Sequence, residues 1–336
     1  MIIKFIKGDI MRNKLKNAAA LLASVFLTAT LIGCAAEKPS DNNSGRLSIV
    51  CTNFSEYDWT REIIGDTDSA DIRYLLESGM DIHNYQPSAQ DMMTISDCDM
   101  FIYVGGESES WVDDALKGVK NKDMKVIKLF ESVGSNIRKE EHKEGMQEEH
   151  VHTDDDEEEY DEHVWLSLDN AKLICSDICS SLCELDSANA DKYKSNLAAY
   201  TDKLSALDEE YSDMAESADT KTLLFGDRFP FRYLLDDYGL DYYAAFNGCS
   251  AETEASFETI ANLAEKMDEL DLDTVFIIEN SDDSIAKSII SSSKNKNAKI
   301  QKLNSIQSVT SDDISRGASY ISIMNDNLDT LKKVLN

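Results

Sequence analysis

The sequence predicts an α/β protein of two similar lobes, each a roughly four-stranded parallel sheet with flanking helices, joined by one long rigid helix. Three observations carry that reading. Short apolar β-like runs alternate with amphipathic helix-like segments, as parallel sheets require. The runs fall four to each side of the midpoint. Between the halves, Tyr193, Leu197, Tyr200, Leu204, Leu207, Tyr211 and Met214 recur at alternating spacings of four and three, one face of a continuous helix. With no Pro or Gly to interrupt it, a helix of about 30 residues forms a rod of roughly 45 Å, which would limit hinging between the lobes. A coiled-coil seam between copies is the competing use of that stripe. Its shortness and the flanking folded lobes favour a rod within one chain, and so a monomer.

The segments follow in order. Residues 1–33 read as a lipoprotein signal peptide, with Arg12, Lys14 and Lys16 ahead of an apolar stretch from Ala18 to Ile32. That stretch is short for a membrane span, which needs about 20 residues. Cys34, directly after Gly33, resembles the lipid-accepting cysteine of the bacterial lipobox. The expectation is a lipid anchor on Cys34 holding the chain to the outer face of the cytoplasmic membrane, with residues 34–45 as tether. The first lobe, 46–186, has β-like runs at 47–52, 72–77, 100–105 and 125–130. It also carries an acidic, histidine-containing loop at 139–162. The linking helix spans 187–218. The second lobe, 219–336, has runs at 222–226, 241–246, 274–279 and 299–303.

The chain carries 33 basic and 64 acidic residues, a formal net charge of −31. Loss of Lys4, Lys7, Asp9, Arg12, Lys14 and Lys16 with the leader makes the remainder more acidic still. Such a surface repels nucleic acid and anionic headgroups and favours cations. An exported chain can form disulfides. Cys175, Cys179 and Cys183 instead recur every fourth residue. On a helix that spacing suits a packing stripe better than a bridge, because i and i+4 Cβ atoms lie about 5–6 Å apart. A soft-metal site is the minor alternative.

In open α/β sheets ligands bind beyond the carboxyl ends of the strands. His83 follows the second run, His163 follows the fourth after the acidic insertion, Asp227 ends the fifth and Glu279 the seventh. Two imidazoles with carboxylate oxygens would suit Zn²⁺, or Mn²⁺ if oxygens dominated. Each residue also has a plainer use: a surface histidine, an Asp227 paired with Arg228 or Arg232, or a Glu279 capping a helix. Ser88 and Asp91 after Pro87 form a near capping box that fixes the helix start behind His83. Residues 139–163 hold thirteen Asp or Glu together with His142, His150, His152 and His163. As a flexible loop, the stretch would be disordered when empty and would concentrate cations. Its three loop histidines would then capture metal transiently. The plainer alternative is a solvated acidic loop.

"HNYQPSAQD" at 83–91 resembles the H-x-Y-x-P-x-x-x-D motif of zinc and manganese substrate-binding lipoproteins of ABC importers. "DEHVWLSLDNA" is similar to their D-P-H-x-W-L-D-P-x-x-A, "GGESESWVDDAL" to their G-x-x-x-E-x-W, and "SYISIMNDNLDTL" to their Y-x-x-x-M-x-x-N-L-x-x-L. The resemblance covers nearly all of the chain beyond the leader. It implies metal capture outside the membrane, with zinc the expected cargo ahead of manganese, delivery to a permease, and His83 and His163 as ligands. Three departures stand out: Gly226 where a third ligand is usual, Asn304 where manganese-type members have Asp, and Glu162 for the usual Pro. Asp227 is the expected third ligand and Glu279 the reserve.

Two other functions compete. A metallohydrolase would need a base and an open metal position, and the sequence has no H-E-x-x-H, G-x-S-x-G or P-loop. The expectation is therefore not an enzyme. A surface lipoprotein of the same fold, with weakened metal binding and a role in adhesion or on another solute, draws support from Gly226 and Asn304.

Overall fold

The computed structural model describes residues 45–147, 159–250 and 254–336. In the first lobe, β1 (Leu47–Cys51), β2 (Ala70–Tyr74), β3 (Met100–Tyr103) and β4 (Lys125–Lys128) form an all-parallel sheet in the order β2-β1-β3-β4. In the second, β5 (Thr222–Phe229), β6 (Asp241–Asn247), β7 (Thr274–Ile278) and β8 (Lys299–Leu303) repeat it as β6-β5-β7-β8. The flanking helices are α1 (Phe54–Ile64), α2 (Ala89–Asp97), α3 (Val112–Lys117), α4 (Leu129–Val133), α5 (Leu168–Leu185) and α6 (Ala190–Ser217). They continue with α7 (Arg232–Asp237), α8 (Phe257–Glu269), α9 (Ser284–Ser292), α10 (Ser311–Ser315) and α11 (Tyr320–Leu335).

Strand alternation divides each sheet into two faces. Ile49, Cys51, Met100 and Ile102 turn inward, as do Leu223, Phe225, Phe276 and Ile278 of the second lobe, and all eight belong to one core. Val50, Phe101 and Tyr103 form an outer cluster on the first sheet, and Leu224, Val275 and Ile277 join another on the second. The inner core also takes in the apolar faces of α1, α5, α6 and α11, so the lobes share one interior.

The linking helix α6 spans 28 residues, about 42 Å at 1.5 Å per residue. Its stripe is buried from Tyr193 to Met214, with Leu197 partly so. Hydrogen bonds from the linking helix and between the lobes reinforce the shared core. Tyr211 donates to the Met324 carbonyl at 2.7 Å, Tyr74 to the Val309 carbonyl at 3.1 Å, and Trp165 Nε1 to the Ser305 carbonyl at 2.9 Å.

Most strand boundaries differ from the sequence pattern by a residue or more, and three of the shifts have a visible cause. β2 lies earlier than the run 72–77, because Leu76 enters the core from a turn rather than from the ladder. β4 stops at Lys128, because Leu129 already opens α4. β5 continues past Gly226 to Phe229 through a bulge between Phe225 and Arg228. Cys175 and Cys179 pack into the shared core, Cys183 is partly buried, and none of the six described cysteines is bridged. No helix among the described residues is long and apolar enough to cross a membrane.

The expected flexible acidic loop at 139–162 is ordered in its first part. Residues 139–147 lie along the edge of the second sheet. The Gln147 amide donates to the Ala245 carbonyl at 2.9 Å, and Lys143 sits 3.9 Å over the Tyr242 ring and pairs with Asp241. The strap covers β6, an edge strand. Its return is paired too, through Glu140 N to the Glu159 carbonyl (2.9 Å) and Asp161 N to the Arg138 carbonyl (3.0 Å). His142 is exposed on this strap. His150, His152 and Cys34 lie outside the described residues, and so do their expected roles.

Candidate metal centre

Each side chain of the site lies on a connection that follows a strand. His83 lies in a 3₁₀ turn, Ile82–Asn84, after β2. Asp81 caps that turn by accepting from the His83 amide at 3.1 Å. The other oxygen of Asp81 takes Arg228 from the second lobe at 2.6 Å. Burial alone would raise the Asp81 carboxyl, but Arg228 and then His83 outweigh it and hold it below the ordinary range. Downstream, Ser88 and Asp91 complete the capping box of α2.

His163 precedes a 3₁₀ turn, Val164–Leu166, that leads into α5. Asp161 holds it twice, through the His163 amide at 2.8 Å and through Nδ1 at 2.9 Å. A carboxylate accepting at Nδ1 leaves Nε2 of the neutral ring as a lone pair. The second lobe sets this element. Tyr233 accepts from the Arg138 amide at 2.9 Å and donates to the Asp161 carbonyl at 2.9 Å. Glu162, where the family usually has Pro, ties the two histidine segments together. It accepts from the Ser108 amide at 2.9 Å, and its other oxygen lies 3.6 Å from His83 Nδ1. Ser108 Oγ meets that same His83 Nδ1 at 2.6 Å.

The two Nε2 atoms therefore face each other, 3.3 Å apart. Two bare lone pairs at that distance repel, so a proton or a cation must stand between them. Burial, then the neighbouring His163, lowers the His83 pKa to about 3. At His163 burial also opposes charge, but Asp161, Glu140 and Glu162 outweigh it and raise the pKa. Tetrahedral zinc with Zn–N bonds of 2.0–2.1 Å would set its nitrogens about 3.4 Å apart, close to the spacing found.

Cys249, in the loop after β6, completes a group in which the ligand atoms of His83, His163 and Cys249 all lie within 4.8 Å of one another. Enclosure by protein, then Glu140, Asp161 and Glu162, pushes its thiol well above the usual range. Beside it, Glu107, Glu140, Glu159 and Glu162 line an acidic cleft of about 160 Å³.

Of the four expected ligands, the structure gathers His83 and His163 and leaves out the other two. Asp227 accepts from the Arg228 amide at 2.8 Å and the Ile278 amide at 3.1 Å, stitching the β5 bulge to the end of β7. The cation beside it, Arg228, pairs with Asp81 instead. Glu279 accepts from Ser305 through its amide and its hydroxyl, both at 2.9 Å. Asn304 is likewise tied into backbone bonding with Asn327 and Ile306. Sequence reasoning missed Cys249, although it lies in a strand-end loop just as His83 does.

Deeper in the first lobe, burial and then Glu109 raise the Glu56 carboxyl well above its ordinary value. Glu109 is raised to about 7 and Asp58 to about 6, each chiefly by burial. A folded chain that holds more protons than the unfolded one gains stability as pH falls. Asp58 and Glu109 therefore stabilise the fold below about pH 4 and lose that contribution as pH rises through 6 to 7. The midpoint of thermal unfolding of metal-free protein is expected to be roughly 5 °C higher at pH 6 than at pH 8. Glu109→Gln should flatten that slope in a calorimetric series.

Two parallel lobes fused by one helix, with an imidazole pair held on the connections that follow their strands, give the fold of the two-lobed substrate-binding class. Residues 49–334 match the family described as ZnuA, zinc-uptake complex component A, periplasmic, and the chain belongs to that family. It is 32% identical over 323 residues to the zinc-binding lipoprotein AdcA of Streptococcus pneumoniae, covering 95% of this chain and 61% of that one. It is 28% identical over 320 residues to the high-affinity zinc uptake system protein ZnuA of Bacillus subtilis, covering 94% of this chain and 96% of that one. Among solved structures, the Zn(II)-bound ZnuA-like domain of S. pneumoniae AdcA superposes with a TM-score of 0.67 at 29% identity, covering 87% of this chain and 99% of that one. The metal-dependent lipoprotein YcdH of B. subtilis gives 0.70 at 26% identity, covering 87% and 100%.

Proposed function

We propose that this protein is an extracytoplasmic receptor that captures Zn²⁺ between its lobes through His83 and His163 and delivers it to the permease of an ABC importer. One observation carries the reading: two buried Nε2 atoms held 3.3 Å apart, each with its Nδ1 engaged by a neighbour. Nitrogen donors favour zinc over manganese. The relatives named for zinc binding and zinc uptake support the same cargo. The acidic cleft beside the pair would draw cations from solvent, most strongly at low salt. His142 and the acidic stretch that follows it would serve as its outer collector. The chain acts by binding rather than turnover, as a monomer held to the outer face of the membrane by lipid on Cys34. The shared core makes capture a local closure rather than a wide hinge.

Crystals soaked in zinc and measured at the zinc edge test the proposal. A single strong anomalous peak in contact with both Nε2 atoms is expected. A peak elsewhere, with none at the pair under saturating zinc, sinks it.

A further inference from the structure

We propose that Cys249 supplies a thiolate as the third ligand, so that the cargo is held by two nitrogens and one sulfur. The inference rests on the receptor reading of His83 and His163 and concerns what completes their site. Of the six described cysteines, only Cys249 joins the imidazoles in a group of potential ligands; Cys51, Cys98, Cys175 and Cys179 are buried in apolar clusters.

Two glycines explain why the third ligand comes from this loop. At Gly226, the position the family resemblance would fill with a ligand, an added Cβ would lie 2.7 Å from the Ala286 Cα and 2.9 Å from its nitrogen. The backbone of α9 occupies that space, so no side chain can project from there. At Gly248, an added Cβ would lie 3.0 Å from His163 Cε1 and 2.8 Å from the Phe229 carbonyl. Without a side chain, the loop after β6 can rest against the His163 ring and present the next residue to Nε2. That residue is Cys249. Two bonds hold the loop in place: the Cys249 amide to Glu140 at 3.3 Å, and Arg228 to the Ser250 carbonyl at 3.4 Å.

The distances allow ligation with little movement. Zn–S and Zn–N bonds of about 2.3 and 2.0 Å place sulfur and nitrogen roughly 3.6 Å apart in a tetrahedron. The group's limit of 4.8 Å must therefore close by about 1 Å. Binding breaks the S–H bond, forms S–Zn and releases the thiol proton to solvent, while the ion also displaces the proton between the two Nε2 atoms, with no change of oxidation state. Three protein ligands leave a fourth position for water, through which a transporter could exchange the ion. A thiolate also biases the site toward Zn²⁺ and Cd²⁺ and away from Mn²⁺.

X-ray absorption at the zinc edge on the full chain loaded with one equivalent tests this. One sulfur at about 2.3 Å beside a nitrogen shell is expected. In Cys249→Ser the sulfur shell should vanish, zinc should stay on the imidazoles, and affinity should fall about 100-fold. Cys183→Ser should leave the spectrum unchanged. A wild-type site of nitrogen and oxygen alone overturns the proposal and leaves the receptor reading standing, as does a sulfur shell that survives Cys249→Ser. Zinc binding indifferent to both His83→Ala and His163→Ala overturns the receptor reading and this proposal with it.

Discussion

Replacing His163 by Gln is expected to lower zinc affinity by at least ~100-fold, and His83→Ala to do the same. The magnitude follows from the support each ring receives. Loss of an outer partner alone commonly costs 10- to 100-fold in metal affinity, and here the ligand itself is removed. Gln is the better replacement at 163, because Asp161 behind the ring is also buried. Ala there would leave that carboxylate without its imidazole partner and confuse lost binding with lost folding. Asp161→Asn should lose less than the ring does, since it keeps an oxygen that can accept from the His163 amide and Nδ1 and removes only the charge. The double variant His83→Ala/His163→Gln should cost far less than the two single losses added, because either one already destroys the shared site. Calorimetry at fixed pH reads all four. Thermal unfolding gives a second readout: ligand at 1,000 times Kd stabilises by about 4 kcal/mol, and that gain should disappear from the single variants. Wild-type titration curves from both single variants would mean that the facing nitrogens are not where zinc binds.

How far the sequence reveals this arrangement depends on the range of each contact. The inward faces of β1, β3, β5 and β7 are visible because strand alternation is local, and the α6 stripe because helical spacing is local. His83 and His163 stand out because both motifs place them at strand ends. Asp227 sits at a strand end only if β5 stops at Gly226. The bulge carries the strand onward and turns that carboxylate toward the Ile278 amide, 51 residues away. Glu279 finds its partner in Ser305, 26 residues on, a pairing set by β7 and β8 lying side by side. Cys249 is the hardest to see. It is one of six cysteines beyond Cys34, and its approach to the imidazoles depends on Gly248 lying against a ring 85 positions earlier in the chain. The ordered strap at 139–147 is hidden for the same reason. Its composition is that of a solvated loop, while its binding surface is the edge of a sheet formed a hundred residues later.

Trp165→Ala is expected to be the most damaging single change to the fold, at ~3–5 kcal/mol. The side chain is 1% exposed and lies in the core common to both lobes. Its indole N–H donates to the Ser305 carbonyl of the second lobe at 2.9 Å, so truncation strands a buried acceptor as well as opening a cavity. At the size of this chain each kcal/mol moves the unfolding midpoint by roughly 2–4 °C, giving a loss on the order of 10 °C. Trp165→Phe keeps most of the volume and loses only the hydrogen bond, so it should recover more than half of that. The second consequence is at the site. The indole meets the His163 ring edge-on at 5.2 Å and 61°, and its own carbonyl receives the Tyr320 hydroxyl at 2.7 Å. The backbone anchor survives truncation, whereas the wall behind the imidazole does not. A ring free to rock no longer points Nε2 at its partner, and preorganisation of the pair is lost. Zinc affinity of Trp165→Ala should therefore fall by roughly 10-fold even at temperatures where the variant is fully folded. Tyr320→Phe removes a bond to the same residue while leaving the indole in place. It should lower the unfolding midpoint without moving the affinity. If Trp165→Ala unfolds early yet binds zinc as tightly as wild type, the indole serves the fold alone, and the stiffness of the metal centre arises entirely from Asp161 and Glu162.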